Sequence, residues 1–457
     1  MNSFKKTILA TLVLMLLAGC TGTKTATPAP TPEPTSALAA QSTLVESTPT
    51  IDLAQAAQHL QGIKITFLHP WMGQMNDAIN DLVQQFNQSN EWGIVVSTQA
   101  AGSASEVKNT LISDLQEGTL PELVAAPVDE LLGLNKNSQT VVDLTPFVES
   151  ADWGLSSTYL PVFWDQDVKD GVRLGIPAQR NTKVLVYNQT WAQELGFTQP
   201  PLTPDDFFTQ TCAANAALKK DNDSQNDGLG GYIIDTDALS MASWAVAFNS
   251  DLSNFNNQHS IAALNYLRGL LDKGCAWNSK DPSPYAYFAA RQALVYSADL
   301  QDLLKQKQAM GSAGNTDTWT VLAFPTTNQP HLLTEGASYA ILSSTPEKEL
   351  AAWLFIRYMS SLDAQGKLVK ASVTLPLSDD AIPYAVELQD SLPQWVDVVN
   401  LLPDATAVPT RADWNQAKMI WEDASWQLFK ANLTAEQIPD LVKQMDVTLK
   451  ELTGNAQ

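Results

Sequence analysis

Aromatic rings and carboxylates are the residue types in this chain that could form a binding site. Thirteen tryptophans are a high number for 457 residues. Flat apolar rings pack against the C–H faces of sugar rings, while carboxylates and amides bind hydroxyl groups. Three positions stand out: Trp71 follows the first predicted strand, Asp129 follows the third, and Trp244 follows a polar turn. Open α/β sheets bind ligands at the carboxyl ends of their strands.

Each candidate has a structural alternative. Most tryptophans of a globular protein lie in its core, so Trp244 could be a core residue. Asp129 could simply cap the helix that follows it. Residues 221–231 partly fit a calcium loop that begins at Asp223, but the twelfth position counted from Asp223 is Ile234, where a bidentate Glu is needed. We therefore predict a solvated turn there, and neither a metal nor a cofactor.

Catalytic motifs are absent from the sequence. It contains no Gly-x-Ser-x-Gly elbow, no His-Glu-x-x-His and no Walker loop. We therefore predict that the protein is not an enzyme. The alternative is a surface glycosidase, because 49 acidic residues offer many possible carboxylate pairs.

Charge and length exclude several protein classes. The formal net charge is −22, which disfavours nucleic acid or an anionic membrane surface as the main partner. Three Cys and four His argue against a zinc framework. The length favours more than one domain.

The N-terminus reads as an export signal. Residues 1–20 combine Lys5 and Lys6 with an apolar run and end in Leu-Ala-Gly-Cys, which resembles a bacterial lipobox. Cys20 is then the lipidated first residue of the mature chain, and the alternative is an uncleaved anchor. Residues 21–60, rich in Thr, Pro and Ala, are predicted to form a disordered stalk.

Two further cysteines remain in the mature chain. Cys212 and Cys275 are free to oxidise outside the cytoplasm, so a disulfide is predicted between them. Two buried free thiols are the alternative.

From residue 63 onward, strand and helix patterns alternate. Short β-rich runs are separated by helical periodicity, which predicts a parallel sheet covered on both faces. The predicted strands are 63–68, 93–96, 123–126, 184–187, 293–296, 319–322 and 339–342. Helices are predicted to start at Ser103 or Ser105, at the capping box of Thr203, at Ser260 and at Thr345.

These ordered segments resemble bacterial extracellular solute-binding protein family 1, the maltose-binding-protein-like lipoproteins of sugar ABC importers. The resemblance runs from about Ile63 to Leu449. It depends on a few ordered motifs, which are Gly118-Thr119-Leu120-Pro121-Glu122-Leu123-Val124, Leu174-Gly175-Ile176-Pro177, Val186-Tyr187-Asn188-Gln189, Glu194-Leu195-Gly196 and Glu347-Lys348-Glu349-Leu350-Ala351-Ala352-Trp353-Leu354-Phe355-Ile356. Glu122 departs from the family's usual Asp.

The resemblance implies an α/β fold with two lobes, a type II periplasmic-binding-protein-like clamshell with crossover hinge strands. The crossings are expected near 177–181, 296–299 and 335–338. Lobe one is then 62–178 plus 298–335, and lobe two is 182–296 plus 338–452.

The resemblance also implies further ligand contacts and a role. Asn181 on the first crossing, Tyr296 and Asp299 beside the second, and Trp414 at the start of a late helix are expected to face the ligand. Trp414 shares a helix face with Trp421, which instead indicates the core. The implied role is that of a monomeric extracytoplasmic protein, held at the membrane only by lipid, which delivers a carbohydrate or related solute to an ABC permease and its ATPase. The alternative is that this binding protein serves a sensor instead of a permease.

Overall fold

The computed structural model describes residues 52–138, 140–279 and 283–454. The predicted signal peptide, Cys20 and the stalk up to residue 51 lie outside these residues. The prediction of a disordered stalk is wrong for its last residues, because helix α1 (Leu53–Ala57) packs against the body. Ala56 and Leu60 are buried in its core. No helix in the described part of the chain is both long and apolar enough to cross a membrane.

The remaining helices cover the faces of a curled sheet. Their bounds are α2 Gly73–Ser89, α3 Ala104–Glu117, α4 Val128–Ser138, α5 Thr145–Val148, α6 Pro161–Gln166, α7 Gln189–Glu194, α8 Pro204–Leu218, α9 Ala238–Ala247, α10 Gln258–Asp272, α11 Tyr285–Ala289, α12 Asp302–Ala313, α13 Pro346–Met359, α14 Leu362–Ser372, α15 Val386–Ser391, α16 Pro393–Val399, α17 Trp414–Leu428 and α18 Ile438–Thr453. Short 3₁₀ helices span Asp379–Ala385, Leu402–Asp404 and Ala435–Gln437.

The strands form one long sheet and one small hairpin. Their bounds are β1 Lys64–His69, β2 Val95–Ala100, β3 Leu123–Ala126, β4 Val168–Lys169, β5 Val172–Arg173, β6 Ile176–Asn188, β7 Gly230–Ile233, β8 Ala276–Trp277, β9 Ala293–Asp299, β10 Trp319–Leu322, β11 Leu332–Ile341 and β12 Ala405–Ala407. The long sheet has the order β2-β1-β3-β11-β6-β9-β7-β8, with β10 on β6 and β12 on β11. Strands β4 and β5 pair with each other.

Two long strands, β6 and β11, belong to both halves of the sheet. The first residues of β6 pack in the core around β1, and its last residues pack in the core around β9. Strand β11 runs antiparallel to β6, so it connects the same two cores in the reverse direction. Its register with β6 is irregular between Ala337 and Ser338. The sheet therefore divides into lobe one, around β1, β2 and β3, and lobe two, around β7, β8, β9 and β10.

Helix boundaries follow local capping chemistry. Helix α3 starts after Ser103, whose hydroxyl accepts the Glu106 amide at 3.1 Å, and ends at Gly118 in the left-handed conformation, with φ 73°. Helix α8 has the predicted capping box between Thr203 and Asp206. Helix α10 is capped by Asn257 and not by Ser260, because the Asn257 side chain accepts the Ser260 amide.

The predicted lobe boundaries are wrong after β9. Segment 298–335 is predicted in lobe one, but β10 pairs with the lobe-two end of β6, and α12 packs in the same cluster as that strand. Segment 338–452 is predicted in lobe two, yet the end of β11 pairs with β3, and α13 packs against α2 in lobe one.

The positions at which the chain crosses between the lobes also differ in part from the predicted ones. The predicted crossings at 177–181 and 335–338 coincide with β6 and β11. The predicted crossing at 296–299 is wrong, because the chain stays in lobe two after β9. The chain instead returns to lobe two after α14, where Val373 has φ 51° and the Leu375 amide donates to the Arg180 carbonyl at 3.0 Å.

Candidate ligand-binding cleft

A cavity of about 220 Å³ lies between the lobes, beside the crossing strands; we call it the first cavity. Lobe one contributes the residues after β1 and β3, and lobe two contributes the start of α17. The crossing strands supply the floor. The predicted residues Trp71, Asp129, Asn181 and Trp414 all line this cavity. The structure thus brings together four sequence-predicted positions from distant parts of the chain.

Trp71 is held in place from two sides. Its indole Nε1 donates to Oε1 of Gln179 on β6 at 3.0 Å. Its ring stacks on the His69 imidazole at a centroid distance of 5.7 Å and an angle of 27°. His69 is fully buried at the end of β1, and this burial lowers its pKa to about 4, so the imidazole is neutral beneath the tryptophan. The ring of Trp71 is therefore oriented before any ligand arrives.

Trp414 is both a core residue and a cavity wall. It is the first residue of α17, is 2% exposed and packs with Trp421 in the core of lobe two. Its indole Nε1 is buried without a hydrogen-bond partner among the described residues. A buried donor of this kind carries an energetic cost until a ligand or water accepts from it.

Charged groups of opposite sign meet in the first cavity. Asp129, at the start of α4, is 4% exposed, and burial raises its pKa to about 6 despite the opposing effect of Lys418. Lys418 of α17 contacts Glu335 of β11, with Nζ 3.3 Å from Oε2. Burial lowers the pKa of Lys418, but Glu335 and Asp129 outweigh it and raise the pKa overall. The set offers both donors and acceptors for hydroxyl groups.

Asp299 lies beside this cavity in a network around Lys183. Its Oδ2 is 3.1 Å from the Lys183 Nζ, and its Oδ1 accepts from the Asn181 amide at 3.5 Å. The same ammonium is 3.6 Å from carboxylate oxygens of Asp235 and of Asp237. Burial raises the pKa of Asp299 to about 6, although Lys183 opposes this rise. Three carboxylates thus share one buried cation.

Tyr296 lines a different cavity, of about 710 Å³, at the carboxyl ends of the lobe-two strands; we call it the second cavity. The phenol is almost fully buried, and its hydroxyl has no hydrogen-bond partner among the described residues.

The expectation that Trp244 faces the ligand is wrong. Trp244 is 1% exposed in α9, a helix whose residues are all buried. Its ring contacts the rings of Phe207 and Phe324 at 5.2 Å each. Its Nε1 approaches the Tyr232 hydroxyl at 3.4 Å, so the indole is satisfied within the core of lobe two.

Cys212 of α8 and Cys275 before β8 are joined by a disulfide in the structure, with their Cα atoms 4.2 Å apart. The bridge lies at the edge of the lobe-two core, away from the cavities. Among the described residues, no group of three or more His, Cys, Asp or Glu is arranged to hold a metal ion.

Several cavity residues carry no sequence signal of their own. Gln179 and Glu335 are polar residues within strands, and Lys418 lies within a helix. They line the cavity because β6 and β11 pair and cross between the lobes, and the sequence does not show which distant strands pair.

Comparisons with known proteins agree with this architecture. A family model described as bacterial extracellular solute-binding protein matches residues 81–392. The sugar-binding protein MalE from Xanthomonas citri has a similar structure, with a TM-score of 0.72 and 18% identity over 86% of this chain and 100% of its own.

Two further solved structures are similar to this chain. The cyclic alpha-maltosyl-1,6-maltose binding protein from Arthrobacter globiformis has a TM-score of 0.70 and 18% identity, over 85% of this chain and 99% of its own. UgpB from Mycobacterium tuberculosis, solved with glycerophosphocholine, gives the same values. No curated protein sequence matches significantly. The fold is that of two-lobed periplasmic binding proteins, and the chain belongs to the bacterial extracellular solute-binding protein family.

Proposed function

We propose that this protein captures a carbohydrate outside the cytoplasm and delivers it to an ABC importer, while a lipid on Cys20 holds it at the membrane. The observation that supports this most is the first cavity, where Trp71 of lobe one and Trp414 of lobe two meet at the crossing strands. Indole faces suit sugar rings, and the Asp129, Glu335 and Lys418 groups suit hydroxyls.

Binding without turnover is part of the proposal. A cleft whose walls come from two lobes couples ligand capture to closure, and a closed shape is what a transporter can recognise. The similarity to binding proteins supports this reading over that of a surface glycosidase.

The first test is a thermal-shift screen of the purified protein against mono- and oligosaccharides, with glycerophosphocholine as a separate arm. A ligand that binds only the folded state raises the melting temperature. Hits are titrated by calorimetry and checked for products after long incubation. The Trp71→Ala variant is the control for binding in the first cavity. A screen in which no sugar raises the melting temperature would overturn the carbohydrate assignment, and product formation would overturn the assignment as a binding protein.

The lipid anchor is tested in cells. Cys20→Ala is expected to abolish incorporation of labelled fatty acid and to release the protein from the membrane fraction. Labelled fatty acid on the Cys20→Ala protein would contradict the anchor.

A further inference from the structure

Trp426 differs from every other tryptophan of the chain. Its side chain is 66% exposed, whereas the other twelve, all of which lie in the described ranges, are buried or half-buried. It projects from α17, the helix whose first two turns carry Trp414 and Lys418 of the first cavity. One exposed ring alone needs no explanation. Trp426 is informative because it lines the second cavity and lies on the helix that also lines the first.

Cavities follow α17 along its length. A middle cavity of about 360 Å³ shares Glu335 and Lys418 with the first cavity, and shares Asp237 and Glu422 with the second. Trp426 lines the second cavity at the other end. The three cavities therefore adjoin one another along α17 between Trp414 and Trp426, and we call this row of cavities the groove.

The groove is long relative to one sugar ring. Trp426 lies twelve positions after Trp414 on α17, which corresponds to about 18 Å at the usual rise of an α-helix. Asn415, Met419, Glu422 and Trp426 recur at helical spacing on the side that lines the middle and second cavities. A single ring cannot contact both ends of this helix.

The far end of the groove has chemistry suited to a second sugar ring. Tyr296 lines this cavity, and its buried hydroxyl has no hydrogen-bond partner among the described residues. It can pair with a ligand hydroxyl once the side chain moves toward the cavity. The carboxylates of Asp235, Asp237 and Glu422 line the same cavity and accept hydrogen bonds. Trp426 then supplies a flat apolar face on the open side.

We propose that the solute is a linear oligosaccharide that reaches from Trp414 to a distal subsite formed by Trp426 and Tyr296. This inference rests on the proposed carbohydrate function and adds the length of the ligand to it. Ligand rings beyond the first cavity gain contacts along α17, so affinity rises with chain length until the ligand reaches Trp426.

The experiment is calorimetric titration of the full mature chain with malto-, cello- and xylo-oligosaccharides, each as a series from monosaccharide to hexasaccharide. In the wild type, the longer members of the bound series are expected to bind more tightly than the shorter ones. Trp426→Ala is expected to weaken binding of the longer members about two- to tenfold and to leave the shortest bound member unchanged. Trp426→Phe, which keeps a ring, is expected to restore most of this loss.

Tyr384→Ala is the matched control, because Tyr384 is an exposed ring that lines none of the cavities described above. It should bind every oligosaccharide like the wild type. Equal wild-type affinity at all lengths, or unchanged affinity of Trp426→Ala for the longest bound member, overturns the distal subsite while the carbohydrate function stands. If neither these three series nor any sugar of the thermal-shift screen binds the wild type, the proposed function is overturned, and the distal subsite with it.

Discussion

Arg180 and Asp167 form an ion pair at the crossing of the two lobes, with their side chains 1% and 0% exposed. The Arg180 Nη2 lies 3.1 Å from Oδ1 of Asp167, and the Ser338 hydroxyl donates to the same oxygen at 2.8 Å. The Arg180 Nη1 also donates to the Ala337 carbonyl at 2.7 Å. The pair therefore links three elements: β6, the end of α6, and β11 at the position where its register is irregular.

Removing one partner of this pair should destabilise the protein strongly. Asp167→Ala leaves the Arg180 charge buried without its counter-ion, which typically costs about 3–5 kcal/mol of unfolding free energy. Urea denaturation measures this loss. The control is Asp363→Ala in the exposed pair of Asp363 and Lys367, where we expect a change of about 0.5 kcal/mol or less. Equal losses in the two variants would mean that the buried pair does not stabilise the crossing.

His69 should make the wild type sensitive to acid. Its pKa in the folded state is about 4, below its ordinary value of 6.5. As the pH falls through this window, the unfolded chain takes up a proton that the folded protein does not, so the unfolding free energy falls. The loss attributable to this group is about 2 kcal/mol at pH 5.

His69→Phe keeps a ring between Phe67 and Trp71 and removes the titration. Relative to the wild type, this variant should become more stable as the pH is lowered from 7 to 5, as measured by urea denaturation at both values. A stability difference that stays the same at both pH values would contradict the neutral buried imidazole.

The contribution of Asp129 to the unfolding free energy should depend on pH in the opposite direction to that of His69. Its folded-state pKa of about 6 lies above the ordinary 3.8, so the folded protein retains a proton that the unfolded chain has lost. Stability therefore falls as the pH rises from about 4 to about 6, with a cost at pH 7 of at most about 3 kcal/mol. Asp129→Asn should be more stable than the wild type at pH 7 and lose this advantage near pH 4. Thermal melts at the two pH values measure it, and a pH-independent difference would contradict it.

The disulfide should protect both thiols from alkylation. Intact-mass analysis of the unfolded, unreduced protein should show neither Cys212 nor Cys275 modified. Closing a loop with a sequence separation of 63 contributes about 4 kcal/mol in the chain-entropy model. The double variant Cys212→Ser, Cys275→Ser should therefore melt at a lower temperature, and two alkylated thiols in the unreduced wild type would refute the bridge.

Local patterns in the sequence were enough to predict most strands and helices. The strand 123–126 coincides with β3, and the Thr203 capping box begins α8. These elements are determined by short-range periodicity and by side-chain to backbone hydrogen bonds. The assignment of segments to lobes failed because it depends on long-range pairing, such as that of β10 with β6.

Only some residues of the candidate site could be predicted, because local sequence patterns locate strand ends but not the pairing of distant strands. Trp71 and Asp129 follow parallel strands, and that position brings them to one edge of the sheet. Trp244 could have been recognised as a core residue, because Ala238–Ala247 is nearly apolar on every side, which is typical of a buried helix. The pattern around Trp426 gave no such sign, since one exposed aromatic residue on an amphipathic helix looks like any other surface position.

Three tryptophan variants should separate the site from the core. Trp244→Ala removes a ring packed on all sides, so we expect a loss of about 3–5 kcal/mol of stability and little change in ligand affinity among folded molecules. Trp71→Ala removes a half-buried ring at the cavity, so affinity should fall several-fold with a smaller effect on apo melting. Trp414→Ala should do both, because that ring is at once core and cavity wall.

Each variant is measured by thermal melting without ligand and by calorimetric titration with the best sugar from the screen. Trp71→Phe is the matched conservative variant: it keeps a flat ring but lacks the Nε1 that donates to Gln179. If stacking dominates, Trp71→Phe retains more affinity than Trp71→Ala, and if orientation by Gln179 dominates, the two variants lose affinity equally. Normal binding by both Trp71→Ala and Trp414→Ala would mean that the ligand does not occupy the first cavity, since no solute that fills this space can avoid both rings.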